Sequence, residues 1–414
     1  MDIATGEKLE GIVQATVLPP DALFLPILPA RVGDKLKFGL CRTCLETMQE
    51  SPCTHQDRER YITGEWTTPE IVFAVECGYT LIQVWEMHAY REQANIFRSF
   101  YTRLARMKLE SEGFPAECQS AEEKANYVAK LNADMPGLEL RVENVSRNEP
   151  RRTFAKDLSN SGLGKFSQDD LKPNSQYVSC YEDLHRLAFE TPHMKIKHLD
   201  PLTEDLAEVS VQPRDDCLGV HRNTQVVIYA FVTAYARIDM MKDMRRLMKI
   251  GARIYYTDTD SIIFDCTAEQ MESIQKAFNM GSKAYGAYKF ETETPIARFA
   301  TLGAKNYAYV TQDGKSEVKV RGFVLTNSAA ASVINLDSMW SMLDQFAAGQ
   351  AASVSANHFT MKINRQKQSI RNDTMTKKYA NNVFDKRYIV DNSEASLITA
   401  PFGAKHYCYD DVSF

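Results

Sequence analysis

At 414 residues the chain exceeds the ~250–300 residues at which a single hydrophobic core stops growing, so roughly two or three domain-sized units are expected. Hydrophobic residues at 44% and charged residues at 25% are ordinary globular values, which exclude disordered, collagenous and disulfide-scaffold chains. The net charge of −5 argues against indiscriminate nucleic-acid binding while allowing local basic faces.

The opening MDIATGEKLEG has neither a basic start nor an apolar core, and no stretch approaches ~18 uninterrupted apolar residues, so neither a secretory leader nor a membrane span is expected. Nine dispersed cysteines then fit a reducing compartment, with nucleus and cytoplasm both open. Cys41-x2-Cys44 followed by Cys53-x-His55 offers three sulfurs and one imidazole in short chelating pairs, a donor set that suits a structural, tetrahedral Zn²⁺. The alternative is free buried thiols beside a surface histidine. His193 and His198 form no ligand set and read as structural.

Thr68 as N-cap, Pro69 in the first turn, Glu70 on the dipole and Gly78 as the stop predict a helix, followed by the strand TLIQVWEM. Apolar residues at spacings of three and four from Ile96 to Met107 predict a long amphipathic helix. Further helices are expected at 120–132, 150–161 and 223–250, so 92–165 reads as a helical projection. RIYYTDTDSIIF reads as a hairpin, and a second strand pair is expected around Asp313-Gly314. The tail after about 330 is expected to be helical and then irregular. No repeat or long linker separates these segments.

In extended backbone, residues two apart share a face, so Asp258 and Asp260 are expected to point together. Adjacent carboxylates repel and tolerate each other best around a hard divalent cation such as Mg²⁺. The competing reading is a solvated turn, since Asp and Thr favour turns. Arg152, Lys156 and Asn160, spaced by four, share one helical face and could grip a triphosphate, or could simply form a solvated basic face. Residues 361–387 carry eight Lys/Arg, including Lys377 and Lys378, against two Asp, a balance of +6. Such a segment would contact phosphates without reading sequence, or else form a flexible charged tail.

Tyr256-Thr257-Asp258-Thr259-Asp260-Ser261 resembles the third catalytic motif, YxDTDS, of family B DNA polymerases. Lys156, Asn160, Ser161 and Gly164 resemble the second motif, K-x3-NSxYG, with Leu163 standing where the family commonly has Tyr or Trp. Lys305-Asn306-Tyr307 resembles the K-x-Y motif, and Lys319-Val320-Arg321-Gly322-Phe323 the entry to the thumb. The matches are in order and are closest to the protein-primed branch of viruses, linear plasmids and Maverick/Polinton transposons.

The resemblance implies an α+β right-hand polymerase: palm around 1–91 and 170–320, helical fingers around 92–169 and a small thumb over 321–414. It implies DNA-directed synthesis from dNTPs on a primer–template with two Mg²⁺ ions, Asp258 and Asp260 as their ligands, and a terminal priming protein as partner. Asp260 would be the bridging ligand, while Lys305 and Tyr307 would hold the primer terminus. No counterpart of the first motif, D-x2-SLYP, is found: Asp2, Asp21 and Asp34 lack the Ser-Leu-Tyr that should follow. Gly11-Ile12-Val13 through Leu18-Pro19-Pro20 resembles sequence that comes after that motif. The expectation is therefore a C-terminal polymerase portion without the first catalytic strand or the exonuclease, the alternative being a catalytically dead, polymerase-derived nucleic-acid-binding protein.

Overall fold

A computed structural model describes residues 9–92, 94–168, 172–214, 224–280, 287–325, 329–364, 367, 369–380, 386–391 and 398–407; Asp2, Arg365 and Asp385 lie outside them. The chain begins with β1 (Glu10–Leu18), the hairpin β2 (Pro29–Val32) and β3 (Lys35–Phe38), and the short helices α1 (Arg42–Thr47) and α2 (Asp57–Arg60). Strand β4 (Ile62–Thr67), helix α3 (Thr68–Glu76) and strand β5 (Thr80–Tyr90) follow. Next come α4 (Arg98–Glu112), α5 (Ala121–Asp134), α6 (Glu149–Phe166), β6 (Asn174–Val178), α7 (Tyr181–His185), β7 (Met194–Thr203) and β8 (Leu206–Pro213). Helix α8 (Val226–Ile250) leads into β9 (Arg253–Asp258), β10 (Ser261–Asp265) and α9 (Ala268–Ala277). Strands β11 (Ile296–Thr301), β12 (Asn306–Thr311) and β13 (Ser316–Val320) precede α10 (Ala329–Val333) and α11 (Leu336–Ala347). The last elements are β14 (Ser353–Asn364), β15 (Ser369–Ala380), β16 (Arg387–Asp391) and β17 (Ile398–Pro401).

These elements form two compact units. The first comprises Met1–Ile96, Phe231–Ala356 and Lys377–Phe414; the second comprises Phe97–Ala230 and Asn357–Thr376. The expected 170–320 segment is therefore divided at 230/231, and 321–414 is not a separate body. Its helix α11 places Leu336, Met339 and Met342 in one core with Ala300 and Ala308, while Tyr388, Ala400 and Phe402 join the core of the N-terminal strands.

In the first unit β1 is the centre of an antiparallel sheet ordered β4-β1-β5. Val13, Ala15 and Val17 alternate into the core, as a half-buried strand requires. Helix α3 starts one residue earlier than expected: Thr67, not Thr68, is the N-cap, and its backbone N–H and hydroxyl both donate to Glu70. Thr68 instead accepts from the N–H of Gly11 at 3.1 Å. Buried Glu70 is also paired with Arg237 of α8. Ile238, Met241 and Met244 of α8, three residues apart, bury against the same core, each worth roughly 1.5–3 kcal/mol of transfer free energy. Leu247 and Ala252 continue into a smaller core with Ile274 of α9, and this core carries the β9–β10 hairpin.

The second unit holds α4, α5 and α6 around Leu109, Val128, Leu131 and Leu140. Ser120 and Glu123 form a reciprocal capping box that fixes the start of α5. The antiparallel sheet β6-β8-β7 has its own core of Val178, Val209 and Val211. The tail is also more regular than expected: β14 pairs with β15, and β16 with β17. Among the described residues no helix is long and apolar enough to cross a membrane.

Candidate active site

Strands β9 and β10 pair Asp258 with Ser261, leaving Thr259 and Asp260 as a two-residue turn. Thr259 has φ +61°, a left-handed conformation unfavourable for a β-branched residue. Local bonds hold it: the Asp260 N–H donates to the Asp258 carbonyl at 2.7 Å, the Ser261 hydroxyl donates to the same carbonyl at 3.2 Å, and the Thr259 hydroxyl donates to Asp258 Oδ1 at 3.1 Å. The expected shared face of Asp258 and Asp260 rested on continuous extended backbone, which ends at Thr259. Asp258 closes the strand half-buried, whereas Asp260 stands exposed at the tip.

The β11–β12 turn meets this hairpin. Lys305 Nζ lies 2.8 Å from Asp258 Oδ1, and its backbone N–H donates to the Tyr256 hydroxyl at 2.8 Å. Lys305 is itself left-handed, with φ +60°. Asn306 supports it, donating from its side chain to the Ala304 carbonyl at 3.1 Å and accepting from the Arg321 N–H at 3.1 Å. One ion pair thus joins a left-handed residue, Lys305, to the chain neighbour of another, Thr259, and strain of this kind gathers at functional sites. The Lys305 ammonium holds the Asp258 carboxyl below its usual range, and Asp258 raises the lysine in return. Tyr307 lies against Tyr256 with centroids 5.1 Å apart and stacks on Tyr309 at 6.4 Å, so the third-motif and K-x-Y segments share one aromatic surface.

A second group was not legible in the sequence. Tyr288 donates to Asp243 of α8 at 2.8 Å. Burial raises the Asp243 carboxyl, with the negative charge of Asp239 one turn away adding to the effect. Burial and Asp243 raise the Tyr288 phenol, with smaller contributions from Asp239 and Asp260. Among the described residues these acids do not converge as a metal-ligand group of three or more; the group that does so is Cys41, Cys44, Cys53 and His55.

Arg152, Lys156 and Asn160 lie on α6 of the second unit, as their spacing predicts. Lys156 and Asn160 are exposed. Arg152 is half-buried and held by Glu112 at 3.4 Å and Glu149 at 3.3 Å, so it is not a free cation. Beside Leu163, a Cβ on Gly162 would meet the Tyr101 hydroxyl of α4 at 3.0 Å.

The basic segment is β-structured in its described part rather than a loose tail. Lys362 pairs with Asp373 at 2.6 Å. Lys377 donates to the Gly322 carbonyl at 3.2 Å and lies over the Phe323 ring, while Lys378 is exposed. Arg387 has a structural role: it stacks on Phe24 with 4.3 Å to the ring centroid and donates to the carbonyls of Phe24 and Thr399.

At the opposite end of the charge scale, Cys41, Cys44 and Cys53 are buried, and His55 Nδ1 lies 3.6, 3.3 and 3.6 Å from their respective sulfurs. All four donor atoms fall within 4.8 Å of one another.

The chain is similar to a protein of Podospora anserina named "Probable DNA polymerase", with 25% identity over 254 residues. The match covers 60% of this chain and 18% of that protein, so the chain spans less than a fifth of its relative's length. No protein-family model and no solved structure matches the chain.

Proposed function

We propose that the chain is the polymerising portion of a protein-primed family B DNA polymerase. In this reading the first unit contains the palm and the α4–α6 helices of the second are the fingers. The observation that carries it is the coupling of two sequence-distant motifs: Asp258 and Tyr256 of one hairpin bind the side chain and backbone of Lys305 in another.

The reaction joins the primer 3′-oxygen to the α-phosphorus of a dNTP, breaks the α–β phosphoanhydride bond and releases pyrophosphate, the hydroxyl proton leaving to solvent. Asp258 and Asp260 present oxygen donors, and the depressed Asp258 carboxyl stays ionised at neutral pH, a set that fits a hard cation. Bound Mg²⁺ would supply charge neutralisation for the displacement and a more acidic 3′-hydroxyl. Lys156 would neutralise the triphosphate and Asn160 would hydrogen-bond it, with Arg152, already paired with Glu112 and Glu149, adding its charge only by giving up those partners. Lys305 would hold a primer phosphate and Tyr307 a primer sugar or base, with Lys377 and Lys378 adding sequence-independent phosphate contacts.

The non-catalytic reading has one observation in its favour. Asp258 and Asp260 join no third carboxylate in a ligand group among the described residues, whereas the two-metal reaction draws carboxylates from two strands. Primer extension with Mg²⁺ by the full reading frame that encodes the chain, beside its Asp260→Ala variant, separates the two. Template-directed extension lost in Asp260→Ala, with primer–template affinity retained, supports the proposal. Extension by Asp260→Ala at a near-normal rate removes the metal assignment. Salt-dependent DNA binding without extension by the unaltered protein establishes the non-catalytic reading.

A further inference from the structure

We infer that Cys41, Cys44, Cys53 and His55 hold one Zn²⁺, and that this metal clamps residues 402–405 onto the N-terminal part of the first unit. The inference does not rest on the polymerase reading.

Three sulfurs at 3.3–3.6 Å from a single ring nitrogen cannot all be hydrogen-bonded to it, because Nδ1 offers either one proton or one lone pair. A common fourth object accounts for the convergence. Zn–S bonds of about 2.3 Å and a Zn–N bond of about 2.0–2.1 Å at the tetrahedral angle put sulfur and nitrogen about 3.5 Å apart. The observed separations are edges of that tetrahedron. Three thiolates and an imidazole select Zn²⁺ over hard cations, and four protein ligands close the site to water, which makes it structural. On loading, the three thiols give up their protons to solvent as the metal–sulfur bonds form.

The ligands are tied to a distant part of the chain. The Leu40 N–H donates to the Phe402 carbonyl at 2.8 Å and the Cys53 N–H to the Ala404 carbonyl at 2.8 Å, so bonds to 402–404 flank the first cysteine pair and start at the third cysteine. Gly403, with φ +88°, approaches so closely that a Cβ there would lie 2.4 Å from the Cys41 nitrogen. Lys405 adds a backbone bond to the Asp21 carbonyl at 2.8 Å and an ion pair with its carboxylate at 2.9 Å. Fixing the Cys41/Cys44 and Cys53/His55 pairs with a metal therefore fixes the backbone to which 402–404 is bonded.

The test uses the full chain purified under reducing conditions. Elemental analysis should give about one zinc per chain. Cobalt added to the metal-free protein should give thiolate-to-metal charge transfer and intense tetrahedral d–d bands. His55→Cys should keep the metal, and His55→Ala should weaken it roughly 10-fold or more. In hydrogen exchange, chelation should deprotect the amides of Leu40, Cys53 and Lys405 well before those of the β11–β13 sheet. Zinc far below one per chain together with no tetrahedral cobalt spectrum overturns the site, and these measurements need no variant to fold. Full loading with unchanged exchange at those amides overturns the clamp.

Discussion

Lys305 Nζ stands 2.8 Å from Asp258 Oδ1, and the backbone of the same lysine is held by Tyr256 two residues before that aspartate. One residue thus reads both the charge and the position of the β9–β10 hairpin. In the polymerase reading the cation that would take a primer phosphate neutralises a carboxylate that would take a metal.

Replacing Lys305 with Met keeps the stem and removes the charge, so Asp258 loses the main cause of its depressed pKa and titrates at higher pH. A carboxyl depressed by folding contributes stability that is full above its unfolded value of about 3.9 and is lost as pH falls through the folded value. The raised lysine behaves oppositely, contributing fully below about 10.4 and losing that contribution as pH rises through its folded value. The stability difference between the two proteins should therefore vanish at both extremes. Between them it should stay below about 1 kcal/mol, because the lysine is largely exposed. A carboxyl NMR titration of Asp258 that is identical in both proteins would remove the pairing.

The same substitution separates two effects on metal and DNA. Lys305 and a divalent cation compete for one carboxylate, so Lys305→Met should bind Mn²⁺ several-fold more tightly at the hairpin, as read by paramagnetic relaxation. In the polymerase reading primer extension should nevertheless fall by roughly 10-fold or more, because the primer phosphate would lose its cation. Weaker Mn²⁺ binding in the variant would show that the lysine does not oppose the metal.

Local patterns foretold the elements that carry this site. Two β-rich runs around a short polar turn announced the hairpin at 253–264, and spacing of four placed Arg152, Lys156 and Asn160 on one helix. The Lys305–Asp258 pair was not legible, because it joins residues 47 apart through two turns with positive φ at non-glycine residues. The Asp243–Tyr288 pair was hidden because it joins residues 45 apart, and Asp243 reads in sequence as one more polar position on a helix. The charge run at 361–387 misled in part: composition cannot separate Arg387, spent on Phe24 and Thr399, from an exposed lysine such as Lys378.

Arg60 illustrates a buried charge that composition also conceals. Its side chain is 2% exposed and donates to the carbonyls of Pro19 and Pro20, at 3.0 and 2.7 Å, while pairing with Asp21. Arg60→Met leaves those carbonyls short of donors and should cost on the order of 2–4 kcal/mol in denaturant unfolding. Asp21→Asn should cost less, because Asp21 is 55% exposed and the asparagine oxygen can still accept from the Arg60 guanidinium. Equal losses would mean that the ion pair, not the carbonyl bonds, carries the contribution of Arg60.

Lys378 and Arg387 carry the same formal charge and should fail differently. Lys378 is exposed on β15, so Lys378→Ala should leave the melting temperature unchanged and lower the salt dependence of primer–template binding by about one counterion. Arg387 stacks on Phe24 and bonds two carbonyls of the same unit, so Arg387→Ala should destabilise the fold by roughly 1–3 kcal/mol. At temperatures where that variant stays folded its salt slope should be unaltered. A reduced slope in Arg387→Ala with no loss of stability would move the DNA contact from β15 to β16.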